Sequence, residues 1–505
     1  MTDPSAIAAA SAVVIAEAVR AGDRRATDVL AACEARWKET AGRLNALVQS
    51  RFAEAAAEAA AVDACPAGIL AGVPLSVKEC FPVRGLRTTL GVPARAQAID
   101  AADAAIVEAV RAAGGVIIGK ANVPQAMYLH ETDNPVFGRT NHPWAVDRGP
   151  GGSSGGDAAL VAAGVVPLGV GTDLAGSLRQ PAHACGIAAI MPRSEIVGEA
   201  GSIDTLPHLR AVRPRAGFLA RSADDLALAL TAVCQGAAET TLVVRRVGWW
   251  DTSGPIPASP AIRRGVAEAV ARLQAAGLET VPLDGSLADE AAWIHLGIIS
   301  ADGAADIWRL LAGSRPIPAV ARLLRLAGLP RWLRPPLAAA ARLLGRAVEA
   351  RGLLATGPRS AEGLAELLAA RAGMATRFAA ETAGCDAIVC PVSAVPALRH
   401  GTAARLVLAA APCLLANLLD LPAGAVPVTT VTPGEDTGRP GSRDPVLRAA
   451  AATDRGSEGL PIGVQVVAPP GGNEAAVLAV MRLIEQTNAA DGPAGLPGSL
   501  PSAEA

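Results

Sequence analysis

Two glycine-rich stretches carry serines where a backbone could aim amide groups at a reacting atom. They are Gly149-Pro-Gly-Gly-Ser-Ser-Gly-Gly156 and, beyond an apolar segment, Gly171-Thr-Asp-Leu-Ala-Gly-Ser-Leu-Arg-Gln-Pro-Ala182. Glycine concentrates where the chain takes positive φ or approaches another group closely, and a run of small residues ending a strand can turn several N–H groups onto one point, as an oxyanion requires. A single run of this kind is ordinary turn chemistry. Two, each bearing a serine and bracketing an apolar strand, point to nucleophilic acyl chemistry, and a serine nucleophile needs a base. Residues 151–155 fit the G-x-S-x-G elbow, whose base is a downstream histidine, yet His183, His208, His295 and His400 lie in no recognisable strand-end setting. Lysine is the alternative. The only lysines are Lys38, Lys78 and Lys120, and lysine can lose its proton at accessible pH where arginine cannot. Lys78 closes the apolar run that begins at Gly72; desolvation at the end of a buried strand lowers a lysine pKa and leaves a competent base. Lys120 also ends an apolar strand, and Lys78 could instead lie along the surface or pair with Glu79, so strand position alone does not choose. Gly114 to Lys120 nearly fits a phosphate-binding loop, but Ala121 stands where the magnesium-binding Ser/Thr belongs and the middle reads as a strand.

The elements that must carry these residues follow from hydrophobic periodicity. Residues 5–64 alternate apolar and charged residues at helical spacing, with Ser5, Asp23 and Thr27 as helix starts. From Val73 onward short β-rich runs (Val73–Val77, Val116–Ile118, Val165–Val170, Leu242–Val247, Ala387–Cys390, Ala425–Val431, Ile462–Val467) alternate with Ala-rich helical segments. That alternation predicts an α/β protein with a twisted, mixed or largely parallel sheet. Ser222, three residues before Asp225, reads as a helix start, and 432–459 as a surface loop. Residues 307–357 differ: between Asp306 and Glu349 eight arginines lie among Leu, Ala, Ile and two Trp, with no acidic residue. Basic apolar helices of this kind suit a membrane surface; the other reading is a buried helix pair with arginines at its rim.

Composition narrows the classes. The 505 residues allow up to three domains by length, but no linker separates them, so 1–505 reads as one domain: a helical layer at 5–64, a catalytic core at about 66–235 and a helical cap at about 307–357. A net charge of -2 and 3% aromatic residues argue against nucleic acid as a partner. Eight cysteines without a CxxC or zinc spacing predict reduced thiols and no metal. The N-terminus lacks a signal-peptide pattern, and no apolar run is long enough to span a bilayer, so the expected location is cytoplasmic.

Lys78, Gly152-Ser-Ser-Gly-Gly156 and Gly171-Thr-Asp-Leu-Ala-Gly-Ser177 resemble, in order and spacing, the three motifs of the amidase signature family, including the offset of 24 positions from Ser153 to Ser177. Asn122-Val-Pro-Gln125, Asn134-Pro135, Pro143-Trp144, Pro358-Arg-Ser-Ala-Glu362, Leu419 to Gly424 and Gly459 to Gln465 are similar to its fatty-acid amide hydrolase branch, and the likeness covers about residues 5 to 487. It implies the amidase signature fold, a mixed sheet covered by helices on both faces, and a Ser-cisSer-Lys triad: Ser177 as nucleophile, Ser153 as bridge across a cis Gly152–Ser153 peptide, Lys78 as base. It further implies an oxyanion site on the amides of Leu174, Ala175, Gly176 and Ser177, and Met127 and Tyr128 along an acyl channel; core packing is the other reading of those two. No cofactor is implied. The substrates would be fatty-acid or other hydrophobic amides; aryl or short acyl amides, esters or carbamates are the alternative, and a catalytically silent binding protein is the alternative of another class. Residues 317–346 resemble in place and character the branch's membrane-associating helices, so peripheral membrane contact or a homodimer interface is expected there. Two departures stand out: Ala175 where the family usually has Gly, and Ala189-Ile-Met-Pro-Arg193 where it has Gly-Leu-Lys-Pro-Thr.

Overall fold

The structure, a computed structural model, describes residues 10–234 and 243–486. The β-rich runs become strands β1 Leu47–Ser50, β2 Pro74–Lys78, β3 Val116–Ala121, β4 Leu168–Asp173, β5 Ala188–Met191, β6 Arg215–Ala220, β7 Arg246–Trp249, β8 Glu279–Pro282, β9 Ala387–Pro391, β10 Ala423–Thr430 and β11 Pro461–Val467. They form one 11-stranded sheet in the order β1-β3-β2-β4-β6-β5-β10-β11-β9-β7-β8. It is mixed: β2 runs parallel to β3 and β4, and β7 to β8 and β9, while the middle strands from β4 through β11 pair antiparallel. Every residue of β2, β3, β4, β5, β6, β9 and β11 is buried. Successive strand residues face opposite sides, so both faces of the sheet are covered, as the Val/Ile-rich runs require.

Several local expectations need correction. Strand β1 interrupts the N-terminal helical layer; it pairs with β3, where Gly119 at φ +148 lets the Gln49 carbonyl approach to 2.1 Å of the place a Cβ would occupy. Strand β4 starts at Leu168, because Val165 and Val166 lie in the turn that closes the helix Gly155–Ala162. Of the run starting at Leu242, that first residue lies outside the described residues, as does Ser5, and strand begins only at Arg246. Asp23 caps nothing: the helix Ala26–Leu44 is capped from 37 residues away, Asp63 accepting from the Ala26 amide at 2.5 Å and from the Thr27 hydroxyl at 2.7 Å. The segment 432–459 is not all loop, since Pro445–Asp454 is helical with Asp444 accepting from the Val446 amide and proline at the first helical position. Ser222 caps as expected, accepting from Asp225.

The arginine-rich stretch folds as the helices Ala305–Leu311, Pro318–Ala327, Arg334–Leu343 and Ala347–Ala355. Its prolines start helices rather than break them. Arg334 is not a surface cation: it is 1% exposed and donates to the carbonyls of Leu326, Ala327, Leu329 and Leu353, tying these helices together. Arg322 and Arg346 both pair with Glu349. Exposed on this element are Trp332, Leu337, Leu343 and Leu344, with Arg325, Arg331 and Arg342.

Candidate active site

Parallel strands β2 and β4 are in register at Val77 and Val170, so Lys78 ends β2 one residue past that pair and Asp173 ends β4 three residues past it, both at C-terminal strand ends, the side on which such sheets place ligands. The Lys78 side chain is fully buried. Its Nζ lies 2.8 Å from Ser153 Oγ, 2.7 Å from Thr172 Oγ1 and 3.3 Å from the Thr172 carbonyl. Burial pushes its pKa down, more than Cys80, Asp157 and Asp173 nearby push it up. Burial lowers the Lys120 pKa as well, but the two strand-end lysines face different partners. Lys120 Nζ is spent on the Arg87 carbonyl at 2.7 Å, on Thr88 Oγ1 and, at 3.5 Å, on Asp100. Glu79 accepts from the Thr89 and Leu90 amides at 2.6 Å each and from Gln49, so it holds a loop and makes no ion pair with Lys78.

Ser153 enters the site through a cis Gly152–Ser153 peptide. Gly152 leaves no room for a side chain, since a Cβ would come within 2.8 Å of the Leu129 carbonyl. Helix Gly155–Ala162 follows at once and carries Asp157, whose Oδ1 accepts from Ser76 at 2.7 Å on the same face of β2 as Lys78. Burial raises the Asp157 pKa to about 7.

The loop after β4 holds Ser177, and the Ser177 carbonyl accepts from the Ser154 amide at 3.1 Å, joining the two glycine-rich loops. Asp173 organises this loop. Its Oδ1 accepts from the Gly176 amide at 2.7 Å and its Oδ2 from Leu178 at 3.1 Å, while Arg179 grips both oxygens at 3.0 Å. Burial alone would raise the Asp173 pKa; the guanidinium and its hydrogen bonds outweigh that and hold the carboxyl well below the usual range. Arg179 also reaches Gln465 at 2.8 Å, Asn417 at 2.7 Å and the Cys413 carbonyl at 3.1 Å.

This geometry corrects one expected donor. The Gly176 amide is taken by Asp173, so Gly176 contributes its positive φ of +94 rather than an N–H. Among the described residues the amides of Leu174, Ala175 and Ser177 have no acceptor. Ala175 is not at positive φ, so its Cβ costs the backbone nothing; it packs against Ala292, Ala411 and Leu414. Met191, in the unusual 189–193 stretch, sits behind the site with its sulfur 3.2 Å from Asn417 Nδ2. Met127 and Tyr128 are half-buried against the main core, and Met127 takes φ +54. Burial, with Asp302 nearby, pushes the Tyr128 hydroxyl up to about 12.

Residues that spacing gave no hint of complete the site. His130 Nε2 lies 3.0 Å from the Ala175 carbonyl and His295 Nε2 3.0 Å from the Leu174 carbonyl. A carbonyl only accepts, so both rings carry their proton on Nε2. Burial lowers each to about 4, and both are neutral at pH 7.

A family model described as Amidase matches residues 28–478. The chain belongs to the amidase family. It is 33% identical over 465 residues to fatty-acid amide hydrolase 1 of Sus scrofa, covering 86% of this chain and 77% of the relative. It is 30% identical over 448 residues to fatty acid amide hydrolase 1 of Caenorhabditis elegans, covering 82% and 76%. A solved fatty acid amide hydrolase superimposes with a TM-score of 0.80 at 20% identity over 96% of this chain and 86% of that one, a likeness of fold. This amidase is accordingly a hydrolase of amide C–N bonds acting on small-molecule amides. All eight of its cysteines are unpaired, and no helix among the described residues is long and apolar enough to cross a membrane.

Proposed function

We propose that this amidase cleaves hydrophobic amides through an acyl-enzyme on Ser177, with Ser153 as proton relay and Lys78 as base. The observation that carries the reading is the environment of the Lys78 nitrogen. A neutral amine has two N–H groups and one lone pair; the two oxygens of Thr172 accept the former, which turns the lone pair to Ser153 Oγ at 2.8 Å. Ser153 gives its proton to Lys78 as it takes one from Ser177, whose oxygen attacks the carbonyl carbon. The amides of Leu174, Ala175 and Ser177 receive the oxyanion. The C–N bond breaks as the proton returns through Ser153 to the leaving amine, and water then releases the acid from the acyl-enzyme. In this reading the described chain works as one amidase unit, and Met127 and Tyr128 line the acyl channel beneath the helices of 307–357.

Long-chain acyl amides are the favoured substrate class, supported by the likeness to two fatty-acid amide hydrolases and by the exposed apolar residues of the cap. Trp332, at 74% exposure, and Leu343, at 90%, lie on the same element as Arg325, Arg331 and Arg342. We infer that this surface docks on anionic lipid, so that substrate reaches the site from the bilayer. Two measurements test the reading. Ser177→Ala must abolish both turnover and covalent labelling by a fluorophosphonate; near-normal turnover would refute the nucleophile. A series of acyl amides of increasing chain length must show rising kcat/KM, and a maximum at short or aryl acyl groups would replace the substrate class.

A further inference from the structure

The loop from Asp173 to Ser177 has every one of its carbonyls occupied. Asn417 Nδ2 lies 3.4 Å from the carbonyl of Asp173, His295 Nε2 3.0 Å from that of Leu174 and His130 Nε2 3.0 Å from that of Ala175. The Gln180 amide is 2.7 Å from the carbonyl of Gly176, and the Ser154 amide 3.1 Å from that of Ser177. A trans peptide is planar, with its N–H pointing opposite to its C=O, and the one cis peptide in the described chain lies elsewhere, at Gly152–Ser153. Fixing a carbonyl therefore fixes the direction of the next residue's amide. The ring of His295 sets the plane that ends in the unpartnered Ala175 N–H; the ring of His130 sets the next plane, whose Gly176 N–H is delivered to Asp173 at 2.7 Å.

We propose that His295 and His130 are positioning residues of the oxyanion site: His295 aims the Ala175 amide by holding the Leu174 carbonyl from behind, and His130 holds the following peptide, and with it the Asp173–Gly176 contact, so that the other end of Ala175 stays fixed. They touch no substrate and move no proton. Two further features single them out from ordinary buried histidines. Both reach consecutive carbonyls of one short loop from separate elements, His295 from the helix Ser286–Ile299 and His130 from the segment after Tyr128. His295 Nδ1 is buried without a partner, so the ring is held in the site by the Leu174 contact and by packing alone.

This inference rests on the proposed role of Ser177 and its neighbouring amides, and the test keeps the two apart. The probes are an acyl trifluoromethyl ketone, which Ser177 would convert to a tetrahedral oxyanion, and the corresponding alcohol, which forms none. In His295→Leu, kcat for an acyl amide should fall about tenfold to a hundredfold, less than the ~10²–10³ lost when an oxyanion donor is deleted outright, while KM changes little. Ketone affinity should fall by the same factor as kcat, with alcohol affinity unchanged. His295→Gln, which keeps an N–H near the Nε2 position, should recover most of both. His130→Leu and His130→Gln repeat the comparison should the first variant fold poorly. Equal losses for ketone and alcohol, unchanged ketone affinity in a folded Leu variant, or no rescue by Gln would overturn the inference. Failure of the wild-type protein to bind the ketone more tightly than the alcohol would instead overturn the underlying reading of Ser177.

Discussion

Replacing Arg179 with methionine should be among the most damaging single changes to this protein, and its size can be worked from the contacts. The guanidinium grips both oxygens of Asp173 at 3.0 Å and serves Asn417, Gln465 and the Cys413 carbonyl, all within 3.1 Å. Removing one partner of a buried ion pair costs ~3–5 kcal/mol because the other charge is left uncompensated. Asp173 keeps the Gly176, Leu178 and Asn417 donors, which places that part near the lower limit. The three acceptors that lose this donor add about 1 kcal/mol each, the low end for a buried group left unsatisfied, for a loss of roughly 6 kcal/mol. Urea denaturation of wild type, Arg179→Met and the Asp173→Asn/Arg179→Met double variant should show the double variant more stable than the single, since it removes the stranded charge. The pH dependence has a definite sign. In the wild type the Asp173 pKa lies below its unfolded value, so its stabilisation is present at neutral pH and lost only as pH falls through the depressed pKa. In Arg179→Met burial is opposed only by the remaining hydrogen bonds, so the folded Asp173 pKa rises and the carboxylate's stabilisation is lost at higher pH than in the wild type. A single variant within about 1 kcal/mol of wild type, or no less stable than the double one, would refute this account of the pair.

Three further outcomes are expected. Because burial lowers the Lys78 pKa and the proposed mechanism needs its neutral amine as base, kcat/KM for an amide should rise with pH through an ionisation below the ~10.4 of free lysine; pH–rate profiles check this, and an unchanged profile in Lys78→Met would contradict it. In the cap, Arg334→Met should lower the unfolding midpoint, since four carbonyls lose their donor, whereas Arg342→Glu should leave stability alone and weaken co-sedimentation with anionic vesicles severalfold, at about 1 kcal/mol per basic residue near the surface. Equal, negligible vesicle binding by wild type and Arg342→Glu would mean that substrate is taken from solution.

Much of the site could be read from the chain because its chemistry is local. The small residues of 149–156 and 171–177 are consecutive, Lys78 ends a strand whose apolar pattern is continuous, and β2 and β4 then bring them together. The supporting contacts could not be read the same way. His295 meets a carbonyl 121 residues away, and Gln465 meets Arg179 across 286 residues; neither residue has a spacing that announces a partner. Strand β1 was hidden because four residues between two helices carry too short a pattern. The helix Pro445–Asp454 was masked by the Pro, Gly and Asp residues around it, although Asp444-Pro445 is itself a start signal. The family resemblance implies Gly176 as a donor; its amide is bound to the carboxylate three residues earlier.

The separation between the reacting groups and their supports bears on how the protein assembles. Lys78, Ser153 and Ser177 are all synthesised before residue 180, yet three of the side chains that shape the Ser177 loop, His295, Asn417 and Gln465, arrive much later in the chain. An amino-terminal fragment would own all three residues of the proposed triad and still lack the groups that hold Arg179 and the Leu174 peptide in place. Contacts of such long range are slow to form because loop closure must be paid before they contribute. Competence for hydrolysis should therefore appear late in refolding, with the closure of β10 and β11 onto β5, and the nascent chain carries Ser177 in an unfinished cradle until the last strand is laid down.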